Sequence, residues 1–327
     1  GRRGRSEMAE SGEGPTTTLG ARPLLAIGLK MISVTIFVGM STSIKLAGPV
    51  DAGQIVFYRS LFAVVPILIF LAFRGELISG MVTHRPWSHI TRGMIGVFSM
   101  WLNFVGLTRL PLPEQITLNY AQPLVVVVFG ALFLGETVRV YRWSAVIVGF
   151  VGVVIVAWPK LTLLTGGQAM AGEQAIGAAS VLAGALVSGF AMLQVRQLVV
   201  TEKSSTIVLW FSLTCAACGL ATLPFGWTPL SAMQVTWLVL SGLAGGVAQI
   251  LMTEAYRHGD VSIIAPFEYT SMVLGIAIGY FVFNDIPTIY TLVGGSIVVA
   301  AGIFIIFREQ RLGLERGRAR KVTPPQG

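Results

Sequence analysis

The chain has 327 residues, of which 54% are hydrophobic and only 12% charged, about half the charged share of an ordinary globular domain. So few charges cannot clothe a soluble protein of this size, and a mean hydropathy of +0.75 with long apolar runs points to a multi-span membrane protein and excludes a disordered or nucleic-acid-binding chain. The net charge of +8 sits in short connections and two tails, which is a pattern of membrane orientation.

Residues 1–21 are polar and rich in Gly, Ser and Thr, and read as a solvated tail; the chain opens on Gly1, with Met8 a candidate native start. Arg22 followed by a long apolar segment imitates a signal peptide, but no small-residue cleavage site precedes Lys45, so the first span reads as uncleaved. A bilayer core takes about 20 mostly apolar residues per helix. That ruler places ten spans at about 24–46, 54–73, 88–108, 113–134, 141–158, 176–197, 206–226, 234–256, 261–283 and 287–307. The longest connection is Gly-rich, from Lys160 to Ala175, and residues 308–327 form a basic tail.

The first span carries Lys30 a third of the way in and Lys45 near its far end. Lys45 reads as snorkelling to the interface; Lys30 lines a cavity or serves structure. Arg59 in the second span and Arg92 in the third read as structural cations that snorkel or pair with helix carbonyls, with anion recognition the alternative. In the fourth span Gln115, Asn119 and Gln122 fall at i, i+4 and i+7, on one face, and Pro123 frees the carbonyl of Asn119. Cys215 and Cys218, mid-helix in an apolar run, read as packing residues and are too few for a disulfide framework. Gly242 and Gly246 form a small-xxx-small face for close helix contact, and Glu254 beside Arg257 reads as an interface charge. In the ninth span Pro266 frees the carbonyl of Ser262 and Glu268 lies several residues inside. A carboxylate there is costly against lipid and should face a cavity or a partner. It can carry a proton, bind an ammonium or sulfonium centre, or pair with Lys30 or Arg92. Trp101, Tyr120, Phe267 and Tyr269 are candidates for stacking on a flat solute. Trp87, Trp158 and Trp227 read as interfacial anchors. His84, His89 and His258 lack metal-ligand spacing, no metal or cofactor is expected, and no P-loop is present.

Sliding the chain on itself by 149 residues sets Gly96 on Gly245, Tyr120 on Tyr269, Gly130 on Gly279, Glu136 on Asp285 and Tyr141 on Tyr290. Asn119 then matches Glu268, and Gln122 matches Ser271. Five spans per copy is an odd number, so the second copy lies inverted in the membrane. With the N-terminus inside, seventeen of the 23 lysines and arginines fall on the inner side and only Arg109 and Lys160 outside, which places both termini in the cytoplasm. Inverted repeats with Pro-interrupted spans in matching positions point to a transporter whose site lies at the repeat interface near mid-membrane.

Here the chain resembles a known family. The run Phe57-Tyr58-Arg59-Ser60-Leu61-Phe62-Ala63, the fourth-span ending Gly130-Ala131-Leu132-Phe133-Leu134-Gly135-Glu136, the stretch Gly149 to Val154 and its echo Gly294 to Gly302 are similar to the EamA branch of the drug/metabolite transporter superfamily. The resemblance implies an all-α membrane fold of ten helices in two inverted five-helix repeats, 22–158 and 176–307, joined by an external linker, 159–175. It implies a central cavity lined chiefly by helices 1, 3, 4, 6, 8 and 9 and alternating access. Val208, where a repeat of Arg59 would stand, departs from equivalence of the halves. The expected function is secondary transport of a small organic metabolite across the inner membrane, the solute being an amino acid, nucleoside-like or vitamin-like compound, with proton coupling or exchange. The substrate-binding candidates are Trp101, Asn119, Tyr120, Gln122, Glu268, Tyr269 and Ser271, with Glu268 the coupling candidate and Lys30, Arg59 and Arg92 structural or ionic. Partners are the bilayer and the solute, with a homodimer open and nucleic acid excluded. A membrane-embedded enzyme of lipid metabolism or a non-transporting scaffold or receptor is the competing reading. No interfacial cluster of His, Asp or Glu supports the enzyme.

Overall fold

The computed structural model describes residues 23–133, 138–162, 169–198, 201–258 and 265–322. Its helices are α1 (Pro23–Leu46), α2 (Ala52–Phe73), α3 (Leu77–Met81), α4 (Pro86–Arg109), α5 (Leu112–Asn119), α6 (Ala121–Phe133), α7 (Val140–Thr162), α8 (Ala169–Leu198), α9 (Ser204–Ala221), α10 (Ala232–His258), α11 (Thr270–Phe283) and α12 (Ile289–Val322), with 3-10 turns at Leu223–Phe225 and Ala265–Tyr269. Nine helices among the described residues are long and apolar enough to cross a bilayer, and a shorter apolar helix covers Phe267–Phe283. The expected start of the ninth span, residues 261–264, lies outside the described residues.

The helices pair across the two halves. α1 lies along α10 and α4 along α8; α10 also packs on α2, and α4 on α9; α7 lies along α12. Exchanging the halves maps each of these pairings onto another or onto itself, as two inverted copies of one five-helix unit require. Lipid is as apolar as leucine, so such helices gain mainly from close van der Waals packing, which small residues permit. A Cβ on Gly246 would stand 2.6 Å from the Ala63 carbonyl, and one on Gly242 2.9 Å from that of Tyr58. The expected small-residue face is thus where α10 meets α2. Likewise a Cβ on Gly152 would stand 2.7 Å from the Gly294 carbonyl, where α7 crosses α12.

Three boundaries differ from expectation. The described ends of the expected linker are helical: α7 runs on to Thr162 and α8 begins at Ala169, where Ala169–Ala175 includes good helix formers. The expected solvated tail continues α12 as far as Val322, since its Arg, Leu and Glu are good helix formers. The fourth span is two helices, α5 and α6, and not one.

Polar ties close both ends of the bundle. At one end Lys45 sits 3.3 Å from Asp285 and donates to the Leu110 carbonyl at 2.6 Å, while Lys160 lies 3.3 Å from Glu114. Lys45 was expected to snorkel; it instead finds an acid and a carbonyl that α11 and α4 bring to the end of α1. At the other end Arg74 meets Glu254 at 3.4 Å. Glu202 accepts from the Thr83 hydroxyl at 2.8 Å and the His84 N–H at 3.2 Å.

Candidate functional site

Both halves break the same span. In the first, α5 stops at Asn119 and Tyr120 caps it at φ −66°, ψ −5°, its N–H turning back to the Thr117 carbonyl at 3.2 Å. Pro123 offers no N–H to the carbonyl of Asn119, so the ladder is loose at this point. In the second half the 3-10 turn Ala265–Tyr269 precedes α11, and Tyr269 stands at φ −70°, ψ −10°. The two break residues are those that the 149-residue offset superposes.

The breaks meet. The rings of Tyr120 and Tyr269 touch edge to face at 5.1 Å and 67°. The Ser271 hydroxyl donates to the Glu268 carbonyl at 2.7 Å and is itself hydrogen-bonded to the Tyr120 hydroxyl. Ser271 is buried, so its hydroxyl ties the two breaks together. The expectation that it faces a solute is corrected, because both of its hydrogen-bonding roles are taken by protein. Beside it the Glu268 carboxylate is ion-paired with Lys30. The Lys30 side chain is 0% exposed and that of Glu268 48%. The ammonium is held inside the α1–α10 seam, 3.6 Å from the Met252 sulfur, while the carboxylate also faces open space.

The remaining candidates divide. The Asn119 side-chain oxygen is buried without a hydrogen-bond partner, an acceptor lying beside the break. Gln122 and Phe267 are half-buried one turn away. Gln115 is buried and reaches the Asn103 side-chain oxygen at 3.5 Å, so it serves as a bridge between helices. Trp101 is not brought to this cluster: it is 40% exposed on the stripe of α4 that carries Met94 and Phe98, and its ring stacks on Phe98 at 6.3 Å. The helical period turns residues 94, 98 and 101 away from the packed face at 93, 96 and 104.

Among the described residues the two arginines rest on soft partners. Arg59 reaches the Met100 sulfur at 3.8 Å, and Arg92 lays its guanidinium over the Phe211 ring at 4.1 Å. Cys215 is buried, Cys218 partly so, and both are free thiols, as packing residues would be. Trp87 and Trp158 are exposed at helix ends, whereas Trp227 folds back on Phe57 and donates to the Thr222 hydroxyl at 2.8 Å. A cavity of about 340 Å³ between α2, α9 and α10, beside Arg74 and Glu254, lies apart from the tyrosine pair.

Sequence reasoning missed the pairs Lys45–Asp285, Lys160–Glu114 and Arg74–Glu254, and the seat of Tyr269, whose hydroxyl occupies the space a Cβ on Gly302 would need. The available signal was charge at span ends without an obvious aqueous role. The cluster at the breaks brings together two tyrosine rings, a buried amide oxygen without a partner and a carboxylate whose counter-charge is internal.

A family model described as the EamA-like transporter family matches residues 24–158 and 175–308. The chain is 30% identical over 273 residues to the riboflavin transporter of Rhizobium johnstonii, covering 82% of this chain and 85% of that one. It is 26% identical over 260 residues to the S-adenosylmethionine uptake transporter of Rickettsia bellii, covering 79% and 84%. It is 26% identical over 281 residues to the pseudopaline exporter of Pseudomonas aeruginosa, covering 84% and 93%. A solved crystal structure shares the fold at a TM-score of 0.62 and 18% identity, covering 88% of this chain and 98% of that one.

Proposed function

The chain belongs to the EamA-like transporter family, and from that premise we propose that it carries a small organic metabolite across the inner membrane by alternating access at the interface of its two halves. The meeting of the two broken spans at Tyr120 and Tyr269 is the observation that carries this reading, since carriers built from inverted repeats hold their solute where interrupted helices face each other. Residues 22–158 and 176–307 are the two moving halves, residues 159–175 face outward, and the tails 1–21 and 308–327 lie in the cytoplasm. The solute stacks against Tyr120 and Tyr269, takes hydrogen bonds at Asn119 and Gln122, and presents a proton or a cationic centre to Glu268. A cation arriving at the exposed side of Glu268 competes with Lys30 for one carboxylate, which couples occupancy to the position of α1. The relatives handle riboflavin, S-adenosylmethionine and pseudopaline by name; an amino-acid-like, nucleoside-like or vitamin-like solute suits the same groups here.

The test is flux into proteoliposomes across a metabolite panel that includes riboflavin and S-adenosylmethionine. At least one solute should enter faster than into protein-free vesicles, with Tyr120→Ala and Tyr269→Ala slowing it. A correctly folded protein that moves none of the panel above the vesicle background defeats the carrier reading.

A further inference from the structure

Among the described residues, four acids in or beside the spans are matched with cations. Glu114 has Lys160, Glu268 has Lys30, Asp285 has Lys45 and Glu254 has Arg74. Arg59 and Arg92 are span cations with no acid beside them among the described residues. The Arg59 Nε, and the Nε and Nη1 of Arg92, are buried without any hydrogen-bond partner. The contacts these guanidiniums do make are soft ones, the Met100 sulfur and the Phe211 ring. Phe211 packs against Gly96 of α4 and Met100 lies one turn further along the same helix, so the two forks rest at neighbouring turns of α4. Each side chain keeps partial exposure. Two close packings fix the position: a Cβ on Gly245 would stand 3.5 Å from the Arg59 Nε, and one on Gly96 2.5 Å from the Phe211 ring.

A guanidinium with open N–H groups matches the two oxygens of a carboxylate or phosphate, and does so best away from water. An unmatched cation inside a membrane protein is unfavourable, and this fold keeps two together. We infer that Arg59 and Arg92 form an anion subsite that receives an oxyanion group, carboxylate or phosphate, of the carried solute. The inference rests on the carrier reading above and narrows its solute to an anionic or zwitterionic one. The subsite belongs to the first half alone. The positions matching Arg59 and Arg92 hold Val208 and Ser241, and the Ser241 hydroxyl is spent on the Leu238 carbonyl at 2.7 Å.

Thermal unfolding of the purified full chain in a neutral detergent reads the subsite without knowing the solute. Benzoate, acetate and inorganic phosphate are titrated, with benzamide and acetamide as uncharged counterparts; a ligand of the native state raises Tm with the logarithm of its concentration. At least one oxyanion should raise Tm where its amide does not, and Arg59→Met and Arg92→Met should each weaken the apparent affinity by about tenfold or more. Both variants should be at least as stable as the parent in anion-free buffer, since each removes an unmatched charge. Arg59→Lys and Arg92→Lys keep the charge without the fork, and guard against misfolding by giving intermediate affinity. Oxyanions that act no better than amides, or equally in parent and variants, overturn the subsite. Stabilisation that depends on these arginines with phosphatidylglycerol but with none of the free anions makes it a lipid-headgroup site and overturns the solute assignment. Arginine-dependent anion binding without flux supports the subsite and counts against the carrier reading, whereas flux that is unchanged in Arg59→Met counts against the subsite.

Discussion

Lys30 and Glu268 share one ion pair but not one environment. The lysine is fully buried and the carboxylate is half open, so removing either partner has different consequences. Glu268→Gln leaves a buried ammonium without its carboxylate, and breaking a buried pair from one side costs about 3–5 kcal/mol. Lys30→Met leaves a carboxylate that water can reach from the open side, so the loss is expected below about half of that. The double variant Lys30→Met/Glu268→Gln restores packing without charge and should regain most of the stability lost in Glu268→Gln. Thermal unfolding of the three proteins, with size-exclusion behaviour, checks the order; equal losses in both single variants would contradict it. The double variant then separates fold from transport, because it should stay folded while its uptake is lost. Tyr120→Phe is a finer probe. It deletes the hydroxyl that meets Ser271 and keeps the ring on Tyr269, so it should cost about 1 kcal/mol with little change in fold.

At the scale of the element, the bundle depends on backbones that approach closely at chosen glycines. A side chain at Gly246 would collide with the Ala63 carbonyl and the Pro66 ring of α2, neither of which can swing aside. Gly28, in α1, has nothing within 4 Å of a built Cβ. Gly246→Leu should therefore drive α10 from α2 and abolish recovery of monodisperse protein. Gly28→Ala should be neutral or stabilising by up to about 1 kcal/mol, the helix-propensity difference. Comparable losses from the two would refute the packing argument. The glycine face was legible in the sequence because small residues four apart have one common use in lipid. The broken spans were legible too, through Pro123, Pro266 and the tyrosines that the offset superposes. The ion pairs were not. Lys30 and Glu268 are 238 residues apart, and periodicity ranks positions on one helix without saying which helix lies opposite. The soft seats of Arg59 and Arg92 were hidden for the same reason, since Met100 and Phe211 carry no signal that marks them as cation neighbours.

For the whole molecule, the pairing of α1 with α10 and of α4 with α8 means that neither half can bury its faces alone. Each long helix of one copy is completed by a helix of the other, so the protein folds as a unit while keeping the two-fold relation of its halves. That relation has a consequence for topology. Each copy contributes an odd number of crossings, so equivalent loops must lie on opposite sides, and the charges must follow. Arg196 at the end of α8 and Lys203 after it make the connection from α8 to α9 basic, whereas its equivalent before α2 has no lysine or arginine between Leu46 and Tyr58. Positive residues resist translocation and set orientation through short loops, and on that ground the proposed topology puts the first of these connections in the cytoplasm and the second outside. Reporter fusions within Thr201–Ser205 and after Gln310 should therefore report cytoplasm, and fusions within 163–168 the external side. Reversal of charge offers the sharper version. On the proposed topology three arginines placed in 163–168 add positive charge to an external connection, against the seventeen lysines and arginines assigned inside, so the flanking spans α7 and α8 should insert poorly and the yield of folded protein should fall. Three arginines added between Thr201 and Ser205 should be tolerated. Equal tolerance at both sites would mean that charge does not set the orientation of this chain, and the cytoplasmic assignment of its termini would fall with it.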